Sequence, residues 1–190
     1  MKLLEQKIMA EGKVYPCDVL KVDRFLNPRI DVDFLCEVGK EFYNLYRDCG
    51  VNKILTIEAS GIGVACLTAQ FFHCPVLFAK KAKTSNLSDK VYEATAHSYT
   101  HNTDHVIRVS SEYLSKEDRV LIVDDFLANG SALSALIELC KKAGATVVGC
   151  GIVIEKAYQK GGDLIRGQGI RVESLARIAS MSPEDGIKFC

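Results

Sequence analysis

Four short runs rich in apolar, β-branched residues punctuate the chain: Lys53–Ile57 (KILTI), Pro75–Lys80 (PVLFAK), Arg119–Asp124 (RVLIVD) and Thr146–Ile154 (TVVGCGIVI). Each reads as a buried strand. Helical stretches lie between them. Gly63–Phe72 is one, and Gly130–Ala143 is another, with Leu133, Leu136, Ile137 and Cys140 at helical spacing and Gly144 as a stop signal. Strands that alternate with single helices predict βαβ units and therefore an α/β fold with a central, mainly parallel sheet flanked by helices.

Two regions break this alternation. Residues 81–94 (KAKTSNLSDKVYEA) are polar and follow neither period, which predicts a mobile loop. Thr95–His101 and His105–Ser110 read as a hairpin turning through Asn102, Thr103 and Asp104. Near the start, a helix is expected over Val32–Arg47, with Leu35, Val38, Phe42, Leu45 and Tyr46 on one side. The irregular stretch Asp18–Asp31, broken by Pro28, precedes it as a cap beside the sheet. The expected organisation is one domain over 1–190: a small hood (1–50), a ligand-binding core (51–156) and C-terminal elements (157–190). No repeat, low-complexity tract or long linker divides it.

Composition narrows the function classes. Lys plus Arg and Asp plus Glu number 24 each, so no net field favours a polyanion, which argues against a protein held to nucleic acid by bulk charge. A local site for a phosphorylated small molecule remains open. The eight cysteines include no CxxC pair and no signal peptide accompanies them, which predicts buried free thiols, Cys66, Cys140 and Cys150 among them, in a reducing compartment. No apolar run reaches the about 18 residues of a membrane span. A cytoplasmic protein is expected.

The most informative segment is Val120–Leu133, VLIVDDFLANGSAL. Ligands of open α/β sheets bind at the carboxyl ends of strands, and this strand delivers Asp124 and Asp125 there. Small residues follow, so their backbone amides can approach a phosphate at a helix N-terminus. Carboxylates repel phosphate but accept hydrogen bonds from sugar hydroxyls, so the combination suits a sugar phosphate. The plainer alternative is a buried strand with an acidic N-cap, which needs neither two carboxylates nor this loop. A second loop, Ile57-Glu58-Ala59-Ser60-Gly61, follows the first strand. The adjoining Gly61-Ile62-Gly63-Val64-Ala65-Cys66 approaches a dinucleotide fingerprint, but Cys66 replaces its third Gly and the next strand ends in Lys80 and Lys81 rather than an acid. Lys80, Lys81 and Lys83 are either a solvated face or ligands for an anion. His97, His101 and His105 would align as metal ligands on a helix. Their Thr, Ser, Asn, Tyr and Val neighbours disfavour one and favour a surface hairpin.

The Val120–Ala132 segment resembles the phosphoribosyl-diphosphate (PRPP) signature of the type I phosphoribosyltransferases: four apolar residues, two acids and a short loop with Gly and Ser or Thr. The resemblance implies that fold, PRPP as substrate, Mg²⁺ with it and a homodimer. It implies that Asp124 and Asp125, as the catalytic pair, hold the ribose 2- and 3-hydroxyls. Ala128, Asn129, Gly130, Ser131 and Ala132 bind the 5-phosphate, and Glu58, Ala59, Ser60 and Gly61 face the diphosphate. Lys81 is a further diphosphate ligand that reaches across a dimer interface. Mg²⁺ would bridge diphosphate and ribose hydroxyls without direct side-chain ligation, and residues 81–94 would close over the site. Ser131 departs from the Gln, Lys or Thr usual within the loop. In 6-oxopurine members a Lys at the position of Lys156 donates to the purine O6, and an ammonium, which only donates, selects an oxo over an amino group. A solvated strand end is the alternative. With Asp18–Pro28, Ile57–Ile62 and Ile154–Lys156, the likeness extends over nearly the whole chain to the members that act on xanthine, where Leu20, Asn27 and Lys156 would contact the base. The ranking of xanthine against guanine and hypoxanthine stays open. A purine-responsive regulator that keeps the PRPP site without catalysis also remains, although such regulators usually add a DNA-binding domain and the first 50 residues lack a helix-turn-helix pair. Lys156 argues against adenine or orotate as the base.

Overall fold

All four apolar runs are strands in the computed structural model, which describes residues 1–81, 90–98 and 103–190. Along the chain come α1 (Lys2–Glu11), β1 (Lys13–Tyr15), β2 (Val19–Lys21), α2 (Val32–Tyr46), a 3₁₀ turn (Arg47–Cys49), β3 (Lys53–Ile57), α3 (Gly61–Phe72) and β4 (Val76–Ala79). There follow β5 (Val91–Ser98), β6 (Thr103–Ser110), β7 (Arg119–Leu127), α4 (Ser131–Ala143), β8 (Thr146–Lys156), α5 (Gly161–Arg166), β9 (Val172–Ser182) and β10 (Gly186–Phe189).

The central sheet has the order β10-β9-β8-β7-β3-β4. Its pairs are parallel from β9 through to β4, and β10 joins β9 antiparallel. Val120, Leu121, Ile122 and Val123 of β7 are all buried, as expected of a strand covered on both faces. Alternation decides which face each one serves. Leu121 and Val123 pack with the hood and helices α2 and α3, whereas Val120 and Ile122 pack with α4 and the β5–β6 hairpin. Leu133, Leu136, Ile137 and Cys140 of α4 are buried, as their spacing predicts.

Several elements depart from expectation. The segment 81–94 is partly strand, because β5 begins at Val91. Its inward residues are the small Ala94 and Ala96, which carry little hydrophobic signal. Residues 82–89 lie outside the described residues. A hairpin is present with other bounds: Thr95 lies opposite Val106, and Thr103 and Asp104, expected in the turn, belong to β6 and pair with Ser98 and His97. His97 and His105 therefore belong to antiparallel strands rather than one helix, and His101 lies outside the described residues. Cys140 and Cys150 are buried, but Cys66 is exposed, contrary to expectation. Helix α3 is apolar around much of its circumference, so its sequence does not mark the inner side. All eight cysteines are free. No helix among the described residues is long and apolar enough to cross a membrane.

Candidate active site

Parallel pairing brings the ends of β3, β7 and β8 to one edge of the sheet, and the segments singled out in the sequence meet there. Strand β7 continues to Leu127, so the acid pair lies within its last turns of pleat rather than beyond it. Asp124 is 5% exposed and Asp125 partly so. The Asp125 N–H donates to Asp124 Oδ1 at 3.0 Å, and the Phe126 N–H to Asp125 Oδ1 at 2.9 Å. Burial, and then the neighbouring Asp125 charge, push the Asp124 carboxyl well above the usual carboxylate range, with Lys81 opposing them.

The loop after β7 is shaped for close approach. Gly130 has φ +85°, a left-handed conformation that glycine adopts without steric cost. It is also the N-cap of α4 and has no side-chain oxygen to satisfy the first helical amides. Asn129 Oδ1 accepts from the Ser131 N–H at 3.0 Å. The first intrahelical bond of α4 runs from the Ser134 N–H to the Gly130 carbonyl at 2.9 Å, so Ala132 and Leu133 are the orphan first-turn amides at this helix start.

The loop after β3 lies beside the acid pair. A Cβ on Gly61 would stand 3.0 Å from Asp124 Oδ1, so the start of α3 is tight against β7. The Glu58–Ala59 peptide is cis. Glu58 Oε1 accepts from the Lys81 backbone N–H at 2.6 Å, which ties this loop to the end of β4. The Lys81 side chain is exposed there and exerts its charge on Asp124. Lys80 is engaged elsewhere: its backbone exchanges two 2.9 Å hydrogen bonds with Arg108, and its ammonium lies 6.0 Å from the Phe78 ring centroid. Lys83 lies outside the described residues.

The hood reaches this edge at two points. Asn27 Nδ2 donates to Ser60 Oγ at 2.6 Å, and Lys156 Nζ donates to the Asp18 carbonyl at 2.6 Å. Lys156 also stands 6.0 Å from the Phe126 ring centroid. Burial lowers its pKa, and the Asp18 charge acts the other way. Leu20, 8% exposed, packs in the core shared with Leu4, Ile8 and Val22.

Three participants in this edge had no role assigned from the sequence, although Asp18 and Glu155 lie in tracts already singled out there. Asp18 stands beside Tyr158, whose hydroxyl is pushed up to about 12 by burial first and by Asp18 second. Glu155, one residue before Lys156, is buried and paired with Arg166. Gly161 packs against the loop after β7. For Glu155 and Gly161 the sequence signal is the tract Glu155–Gly162, charged and aromatic residues followed by paired glycines after a strand.

Comparison with known proteins gives a consistent picture. Residues 33–165 match the model of the phosphoribosyl transferase domain. A xanthine phosphoribosyltransferase of Lachnoclostridium phytofermentans is 51% identical over 186 residues, 98% of this chain and 96% of that protein. One from Finegoldia magna is 48% identical over 189 residues, 100% of this chain and 99% of that protein. Among solved structures, an adenine phosphoribosyltransferase from Trypanosoma brucei superposes with a TM-score of 0.80 at 18% identity, covering 96% of this chain and 83% of that one. The enzyme from Giardia lamblia complexed with 9-deazaadenine gives 0.79 at 24% identity, covering 92% and 97%. At such identities the structural likeness establishes the fold, and base choice has to be argued from the site.

Proposed function

The chain belongs to the phosphoribosyltransferase family, and we propose that it is a purine salvage enzyme that joins xanthine to PRPP, giving xanthosine 5-monophosphate and diphosphate. The observation that carries this reading is the sheet edge itself. An acid pair running into a glycine loop ends β7, and a lysine ends the neighbouring strand β8. Relatives named for xanthine, similar over nearly the full chain, support the choice among 6-oxopurines.

Each group then has a task. The loop Ala128–Ala132 holds the 5-phosphate, which reacts with nothing but supplies binding energy and orients C1. Asp124 and Asp125 accept hydrogen bonds from the ribose hydroxyls, and the partly exposed Asp125 favours the positive charge that builds on the ring as the C1–O bond breaks. The Glu58–Gly61 backbone and Lys81 stabilise the departing diphosphate. Lys156 donates to the purine O6, and Asn27, with a donor and an acceptor, senses position 2. Leu20 supports the apolar floor under the hood. No covalent nucleophile is required.

Mg²⁺ fits this site as a companion of PRPP. Its oxygen ligands would come from PRPP rather than from direct side-chain ligation, and the acid pair at the end of β7 would keep its oxygens for the ribose hydroxyls beside the ion. When bound, the ion neutralises charge on the departing diphosphate. A homodimer in the cytoplasm completes the reading, and eight free thiols are in keeping with a reducing compartment.

The experiment is a stoichiometric one. Purified protein with xanthine, PRPP and Mg²⁺ should form xanthosine 5-monophosphate and diphosphate one for one, over many turnovers. Saturable PRPP binding without turnover would replace the enzyme by a purine-responsive regulator.

A further inference from the structure

The segment after β8 links the two ends of the site through contacts that leave little play. We propose that Glu155, Arg166 and the Gly161–Gly162 pair form a brace that sets the distance between Lys156 and the phosphate loop, making Arg166 a positioning residue for transfer. This inference rests on the function read above.

One end of the brace is Glu155. It is 2% exposed, and because strand side chains alternate, it points to the face of β8 opposite Lys156. Arg166, the last residue of α5, grips it with a fork. One guanidinium nitrogen lies 2.8 Å from Oε1 and the other 2.7 Å from Oε2. Arg177 Nε adds a third contact at 3.3 Å from Oε2. Such a planar match fixes direction as well as distance, which a lysine could not do. The carboxylate therefore anchors the residue next to Lys156 against α5.

The other end is the start of the same helix. The Gly161 N–H donates to the Ala128 carbonyl at 3.1 Å. A Cβ on Gly161 would meet Ala128 O at 2.3 Å and Gly130 N at 2.5 Å, and a Cβ on Gly130 would meet Gly161 Cα at 3.0 Å. These are contacts of backbone on backbone, with no flexible side chain to yield. Gly162 closes the chain, since a Cβ there would stand 2.1 Å from Glu155 Oε1 and 2.4 Å from Arg166 Nη1. Helix α5 is thus wedged between the ion pair and the phosphate loop, and only glycine fits at either wedge position.

The reaction needs this spacing. The loop holds one substrate by its phosphate and Lys156 holds the other by its oxo group, so the gap between base nitrogen and C1 is set by the protein between them. A misplacement of about 1 Å can cost on the order of a hundredfold in rate. A brace of this kind acts on kcat more than on the binding of either substrate alone.

The test compares Arg166→Lys with the double variant Glu155→Leu/Arg166→Met, which removes both charges of the pair and so avoids stranding the buried Glu155 carboxylate. The expected result is a fall in kcat of at least about tenfold in both variants. The dissociation constant for PRPP, measured calorimetrically without base, should stay within about threefold of wild type. The melting temperature should fall less in the double variant than in Glu155→Gln/Arg166→Ala. Unchanged kcat in a folded variant, or kcat that returns in step with thermal stability in the double variant, overturns the brace. A wild-type protein that turns over none of the three 6-oxopurines overturns the functional reading, and the brace with it. An active wild type with indifferent variants overturns the brace alone.

Discussion

Lys156 Nζ donates a 2.6 Å hydrogen bond to the carbonyl oxygen of Asp18, across 138 residues of sequence. Asp18 occupies a left-handed conformation at φ +60°, in the turn between β1 and β2 that aims this carbonyl at the end of β8. The ammonium that we assign to the purine is therefore fixed by the hood, with further donors left for a ligand.

Lys156→Ala should lower kcat/KM for xanthine, hypoxanthine and guanine together, by about ten- to a hundredfold, because a buried oxo group loses its donor. Asn27→Ala should instead erode the preference among the three. Intact rates for all three bases in Lys156→Ala would place the purine in another orientation.

The titration of Lys156 offers a second check. Burial lowers its pKa and the Asp18 charge raises it, so the net displacement is downward. The ammonium should lose its proton at lower pH than an exposed lysine does, and Asp18→Asn should bring that midpoint lower still. NMR titration of the Lys156 ammonium, assigned with Lys156→Arg, measures both. An upward movement in Asp18→Asn would contradict the placement of the two groups.

Asp125 is partly exposed and Asp124 buried, so the two carboxylates should respond differently to replacement. Asp125→Asn should retain the fold and lower kcat/KM by at least about tenfold, or ~1.4 kcal/mol of transition-state stabilisation. Near-normal turnover in this variant would remove the ribose assignment.

Gly130→Val faces two obstacles, a left-handed φ of +85° and a neighbouring Gly161 Cα at 3.0 Å from the new Cβ. The loop has to shift, and KM for PRPP should rise far more than KM for the base. Equal effects on both constants would move the 5-phosphate elsewhere.

How far the site was legible in the sequence depended on how local its signal was. Asp124, Asp125 and Gly130 lie within one short tract, where an apolar run, two acids and a small-residue loop speak for themselves. The cap was visible only in part. Helix α1 buries just Leu4 and Ile8 and has little amphipathic contrast, and β1 and β2 are three residues each. Strand β9 was hidden because its pattern of burial is irregular: the consecutive Leu175 and Ala176 are both buried. Contacts such as Asn27 with Ser60, or Gly161 with Ala128, join distant segments, and no periodicity announces them. Cys66 shows the converse, a residue in an apolar helix that tertiary packing leaves outside.

The fold is shared with adenine phosphoribosyltransferases, so base choice is where the account is most exposed. The most direct measurement is kcat/KM for xanthine, guanine, hypoxanthine and adenine at saturating PRPP and Mg²⁺. The expected order places xanthine first, the other two 6-oxopurines below it, and adenine below all three, since Lys156 has no acceptor for a 6-amino group. Adenine as the preferred base would contradict the role of Lys156, and guanine or hypoxanthine in first place would contradict the assignment of xanthine.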